Sequence, residues 1–126
     1  MDPAKLRYTE THEWSGMEGD LVVIGITKYA VDLLTDIVFI SLPDKGDHTF
    51  KGESFGEIES VKAVSDLFAP LGGEILATND DLAGSPESVN SDPYGGGWMV
   101  RLRIADTGQL TELLDAAAYD DLVAAG

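Results

Sequence analysis

The groups this sequence offers for chemistry are a few lysines, many carboxylates and two histidines; it contains no cysteine. A thiol nucleophile, a disulfide and a zinc–thiolate site are therefore excluded, and any redox chemistry must come from a cofactor. His12 and His48 stand far apart, with no HxxxH or HxH spacing, and no calcium-loop pattern organises the Asp and Glu residues. Those carboxylates read as a solvated face. The glycines form neither GxGxxG nor GxxxxGKS/T, which disfavours a nucleotide site. Gly95-Gly96-Gly97 before Trp98 reads as a turn into a strand rather than an anion cradle. No GxSxG is present, and no carboxylate pair is singled out for acid–base work.

One segment stands apart, Ser54 to Asp66. Lys62 is its only cation, among Glu57, Glu59 and Asp66. If Val61-Lys62 form a hairpin tip, Ser60 faces Ala63, Glu59 faces Val64, Ile58 faces Ser65 and Glu57 faces Asp66. Gly56, Ile58, Ser60, Ala63, Ser65 and Leu67 then share a packing face. Phe55, Glu57, Glu59, Val64, Asp66 and Phe68 share the other, and Lys62 projects into water. Turn propensity does not demand this, because tight hairpins prefer pairs such as Asn-Gly. On spacing alone, an edge strand with an ordinary surface lysine is the simpler reading.

The elements that could position this lysine are mostly short strands. Leu21 to Ile24, Asp36 to Leu42, Ser54 to Ser60, Ala63 to Phe68 and Glu74 to Thr78 are apolar segments bounded by turn residues. Trp98 to Ile104 alternates most clearly, with Trp98, Val100, Leu102 and Ile104 on one face and Met99, Arg101 and Arg103 on the other. Thr27 can cap a helix reaching Leu34, Ser85-Pro86-Glu87 reads as a helix start, and Asp115 can cap Ala116 to Ala125. The pattern predicts one mainly β domain over residues 1–126, a barrel or sandwich with small peripheral helices.

Composition narrows the partners. With 8 Lys and Arg against 23 Asp and Glu, the formal charge is −15. Such a surface repels phosphate backbones and anionic lipid, so neither nucleic acid nor a membrane is expected as a partner. The longest apolar run, Leu21 to Ile26, is too short to span a bilayer. Met1 to Lys5 does not resemble a signal peptide, so a cytoplasmic or other reducing interior is expected.

Residues Glu59 to Asp66, ESVKAVSD, resemble the lipoylation segment of the H-protein family of the glycine cleavage system. Tyr8 to Trp14 resembles that family's YxxxHEW, Gly25-Ile26-Thr27 with Ala30 its GIT segment, and Asp36 to Phe39 its D.VF segment. Leu42-Pro43, Gly46, Lys51 to Glu53, Ala69-Pro70, Gly73-Glu74 and Asn79 follow in order. Ser85-Pro86, Val89-Asn90, Asp92 to Gly95 and Gly97-Trp98 complete the match, which runs from Leu6 to Tyr119. The chain departs at Lys28, where an acid is common, at Thr35, where glycine is common, and at Leu71-Gly72, which replaces a small-Ser pair. Biotinyl carriers usually flank the lysine with methionine, and lipoyl domains of 2-oxo acid dehydrogenases lack the HEW and PYGxGW segments.

The resemblance implies a flattened β-barrel sandwich, the lipoyl/biotinyl-carrier hybrid fold, with two antiparallel sheets and a C-terminal helix. It implies lipoate held as an amide on Lys62, which takes the net charge from −15 to −16. A lipoate ligase or an octanoyl/lipoyl transferase would attach it. The arm would receive an aminomethyl group from glycine decarboxylase (P protein), deliver it to aminomethyltransferase (T protein), and be reoxidised by dihydrolipoamide dehydrogenase (L protein). The chain would be a non-catalytic, monomeric carrier subunit in the cytoplasm or, as a mature chain, the mitochondrial matrix. Glu13 is the implied partner of the carried amine, with Thr11, His12 and Asp66 lining a protecting cleft. Trp14 and Trp98 read as core or boundary aromatics, and His12 as a structural histidine. Other readings stay open: a lipoyl carrier or relay in another pathway, an unmodified binding domain of the same fold, or an enzyme with a dispersed site.

Overall fold

The structure is a computed structural model describing residues 1–126. Nine strands form two antiparallel sheets that are not closed into a barrel. In chain order they are β1 (Arg7–Tyr8), β2 (Glu13–Glu18), β3 (Leu21–Ile26), β4 (Ile37–Ser41), β5 (His48–Thr49), β6 (Ser54–Ser60), β7 (Val64–Phe68), β8 (Gly73–Thr78) and β9 (Val100–Arg103). The larger sheet has the order β1-β2-β3-β9-β8-β5, and the smaller has β4-β6-β7. Five short helices lie around them: α1 (Lys28–Leu34), α2 (Asp81–Gly84), α3 (Ser88–Ser91), α4 (Gly108–Thr111) and α5 (Ala116–Ala125). No helix is long and apolar enough to cross a membrane.

β3 reads as an unbroken apolar run because both of its faces are covered. Val22 and Ile24 pack with Ile75, Val100 and Leu102 on one side. Val23 packs with Leu6, Tyr8, Trp14 and Tyr119 on the other, beneath α5. A third cluster, with Ile37, Ile40, Ile58, Leu67 and Met99, fills the space under the smaller sheet. Gly25 lies opposite Trp14 across β2 and β3. A Cβ there would sit 2.7 Å from the indole ring, so this position has room for glycine alone.

Several sequence expectations shift. β2, β1 and β5 lie outside the predicted strands. A bulge between Ser54 and Gly56 displaces the β6–β7 register, and Phe55 packs against the core instead of joining the outer face. Trp98 leaves the Val100 face, packs toward the Trp14 cluster and stacks under Arg101 at 3.8 Å. Met99, expected on the polar face, is fully buried. Ser85 does not cap a helix; α3 begins at Ser88, after a turn through Pro86. The Gly95 to Gly97 turn closes on Asp92, whose carboxylate accepts the Gly96 N–H at 2.9 Å.

Thr27 and Asp115 do cap α1 and α5, accepting the amides of Ala30 and Ala118. α1 ends at Thr35 with φ 64° and ψ −141°, a backbone region that a β-branched residue enters only under strain. Glycine, which the resemblance leads one to expect at this position, enters that region without strain. Thr35→Gly is expected to raise stability by about 1 kcal/mol, or about 3 °C in Tm. Thermal unfolding checks it; an unchanged or lower Tm would mean that no strain is released there.

Candidate functional site

Lys62 sits at the tip of the β6–β7 hairpin, in the expected register. Glu59 pairs with Val64, Ile58 with Ser65 and Glu57 with Asp66. The turn forms without a favourable dipeptide because Ser60 supplies its geometry. The buried Ser60 Oγ accepts the amides of Lys62 at 3.2 Å and Ala63 at 3.1 Å. The Ser60 amide donates to the Ala63 carbonyl at 2.8 Å, and the Val61 amide to the Asp36 carbonyl at 3.0 Å. Every amide of the tip is thus tied to the protein. The Lys62 side chain is exposed and belongs to none of the four ion pairs. Val61 and Val64 beside it are exposed, as are Glu57, Glu59 and Asp66.

β7 is an edge strand of the smaller sheet, and a cleft of about 220 Å³ opens beside it. Thr11, His12, Glu13 and Asp66 all line this cleft, with an apolar wall that includes Ile26, Ala30, Leu33 and Ile58. The four residues singled out from the resemblance are therefore brought together around one space. Lys62 is not among its walls; it stands at the end of the strand that forms one side. A groove of about 340 Å³ behind Thr11, past Tyr8, Lys51 and Glu112, carries no residue of the hairpin tip.

Glu13 opens β2 and is only 2% exposed. It is no solvated turn carboxylate. Oε1 accepts the hydroxyls of Thr9, at 2.7 Å, and Thr11. Oε2 accepts the Phe68 amide of β7 at 3.2 Å. Burial pushes its pKa above the usual carboxylate value, and these donors, the Thr11 and Thr9 hydroxyls foremost, pull against that rise. Thr9 was not legible as part of the site, although hydroxyls two and four residues before Glu13 were in view.

His12 has φ 74°, a left-handed conformation that turns the chain into the cleft wall. Its Nδ1 lies 2.7 Å from the Tyr119 hydroxyl, which is 2.8 Å from Thr27 Oγ1. Burial lowers its pKa, favouring the neutral ring. This supports a structural role: α5 grips the cleft loop through Tyr119, which also stacks on Tyr8 with ring centroids 4.5 Å apart. No three His, Asp or Glu side chains converge as a metal site.

Two open antiparallel sheets that hold one free lysine out on a tied hairpin, beside a lined cleft, have the architecture of a carrier subunit. Comparison with known proteins agrees. The family profile described as Glycine cleavage H-protein matches residues 6–125. A "Glycine cleavage system H protein" of Synechococcus sp. (strain JA-2-3B'a(2-13)) is 54% identical over 121 residues, covering 96% of this chain and 94% of the relative. One from Magnetococcus marinus is 56% identical over 117 residues, covering 93% and 84%. The crystal structure of a glycine cleavage system H protein from Mycobacterium marinum superposes with a TM-score of 0.88 at 38% identity, covering 98% of this chain and 99% of that one. The chain belongs to the glycine cleavage H-protein family.

Proposed function

We propose that this chain is a lipoyl carrier whose arm is joined by an amide to Lys62 and serves glycine cleavage. The observation that carries the reading is the tip itself. An exposed, unpaired lysine on a turn with no loose amide suits a ligating enzyme, which must reach Nζ and capture its neutral form as a nucleophile. When bound, lipoate supplies a strained disulfide that takes up the aminomethyl group of glycine and is later restored by thiol–disulfide exchange.

The chain's own residues have two tasks in this account. Ser60 and the β6–β7 ladder hold the attachment point away from the body of the protein, so the arm samples each partner at high effective concentration. Glu13, with Thr11, His12 and Asp66, offers a cleft where a carried amine is kept from bulk water, and the Glu13 carboxylate pairs with its positive charge. The partners are glycine decarboxylase, aminomethyltransferase and dihydrolipoamide dehydrogenase, with a lipoate ligase or octanoyl/lipoyl transferase for loading. A single domain acting as a monomer in a reducing interior suffices for this role, and the bond-making groups belong to cofactors and partner enzymes.

Ser60→Ala removes the acceptor of two tip amides. It is expected to cost about 1 kcal/mol of local order, and hence to lower kcat/KM for ligation roughly fivefold. Steady-state lipoylation kinetics, with urea unfolding as control, measure it; an unchanged kcat/KM would mean that tip order is irrelevant to recognition. The reading as a whole is tested by mixing the lipoylated chain with the three enzymes, tetrahydrofolate and NAD. Glycine-dependent NADH formation is expected. If the chain accepts lipoate yet supports no glycine oxidation, a lipoyl relay in another pathway takes its place.

A further inference from the structure

The hydrogen bonds around Glu13 divide its two carboxylate oxygens unequally. A carboxylate offers about four acceptor positions, two on each oxygen. On Oε1 both are taken, by the Thr9 hydroxyl at 2.7 Å and by that of Thr11. On Oε2 one is taken, by the Phe68 amide at 3.2 Å. Thr9 is committed in both directions, because its oxygen also accepts the Glu13 amide at 3.1 Å. Its oxygen also lies 3.2 Å from the Thr11 hydroxyl, but the carboxylate is the charged acceptor at the shorter distance, so the Thr9 proton goes to Oε1 and the Thr9–Glu13 pair forms a closed ring that fixes the carboxylate plane.

We propose that Thr9 is a positioning residue of the cleft, which together with Thr11 saturates Oε1 and leaves Oε2 as the one acceptor for a cationic N–H group brought into it. The ligand class is a small primary amine in its protonated form, bound through a single charge-assisted hydrogen bond. This rests on the reading of the cleft as the shelter of a carried amine.

The other titratable groups around Glu13 do not substitute for Thr9. His12 points its Nδ1 at Tyr119, and Asp66 lies across the cleft on β7, where its contact is with Ser54. Neither His12, Asp66 nor Tyr119 bonds a Glu13 oxygen. The raising effect of burial is opposed by hydroxyl and amide donors alone. Removing the Thr9 donor should therefore be felt directly at the carboxylate.

The test uses the full unmodified chain, labelled with ¹³C at the glutamate carboxyl, and follows the Glu13 resonance with pH. Thr9→Val, similar in shape but without the hydroxyl, should raise its midpoint by about one pH unit, a tenfold change in proton affinity. Thr9→Ser should restore the wild-type midpoint. A Thr9→Val midpoint equal to wild type would overturn the proposal. Should Thr9→Val fail to fold, the wild-type Thr9 hydroxyl proton serves instead: slow exchange with water and a nuclear Overhauser contact to Glu13 support the ring, and fast exchange overturns it.

A second readout separates this inference from the reading beneath it. Release of ammonia from glycine-loaded protein should rise about tenfold in Thr9→Val, while Glu13→Gln should release faster still. Unchanged release in Glu13→Gln would sink the cleft reading. Faster release in Glu13→Gln with no change in Thr9→Val would sink the role of Thr9 alone.

Discussion

A Lys62→Arg chain, taken through the ligation reaction and mixed with the glycine-cleavage enzymes, will support no more glycine-dependent NADH formation than a mixture without it. The guanidinium stays protonated at any working pH and cannot act as the acyl acceptor. Charge and approximate length at the tip match those of the unmodified lysine, so the hairpin around it is left unchanged. Lys62 is exposed and makes no ion pair, so stability should hold within about 0.5 kcal/mol. The loss would then report the missing amide and nothing else. Retained activity would move the arm to one of the other lysines, of which Lys28 and Lys51 are engaged with Asp32 and Glu112.

Trp14→Ala will have the largest effect on stability. The indole is fully buried, donates from Nε1 to the Pro93 carbonyl at 3.1 Å and lies across Gly25. Truncating a buried tryptophan costs about 3–5 kcal/mol, a large share of the roughly 5–15 kcal/mol that holds a domain together. Trp14 also follows Glu13 on β2, so the loss should loosen the cleft wall. Gly25 provides the internal check. Gly25→Ala in the native chain drives a Cβ into the ring and should destabilise by about 1–3 kcal/mol. In the Trp14→Ala background the same change should be close to neutral, because the clash is gone. Denaturant unfolding of the four chains gives this coupling; additive costs would contradict the packing described here.

The hairpin shows how much could be read in advance. Its register follows from period-2 pairing once a turn is granted at Val61-Lys62, and the resemblance supplied that turn where propensity would not. The physical cause is a side chain, the Ser60 hydroxyl, that a dipeptide rule does not weigh. β2 was missed because Glu-Trp-Ser-Gly-Met-Glu has no alternation: four successive residues of it are buried, on both faces of the sheet. β1 and β5, two residues each, are too short to carry any period.

The cleft was legible only as a set of residue names. Thr11, His12 and Glu13 are adjacent, but the meeting with Asp66 needs the smaller sheet to fold against the start of β2. The burial of Glu13 was not readable, since a carboxylate in a Thr-rich turn normally faces water; donors from Thr9, Thr11 and Phe68 make the buried site tolerable. Tyr119 was equally hidden. It reaches His12 across 107 positions of sequence, and nothing in an Ala-rich helix marks the one tyrosine that grips the loop.

Whether Lys62 carries the arm is decided by intact mass with peptide mapping. The chain is incubated with lipoate, ATP and a lipoate ligase, beside the Lys62→Arg control. One lipoyl adduct is expected, on the peptide containing Lys62 and absent from the control. An unmodified chain, with the ligase active on another substrate in the same tube, would contradict it and leave a domain that keeps the carrier fold without the arm.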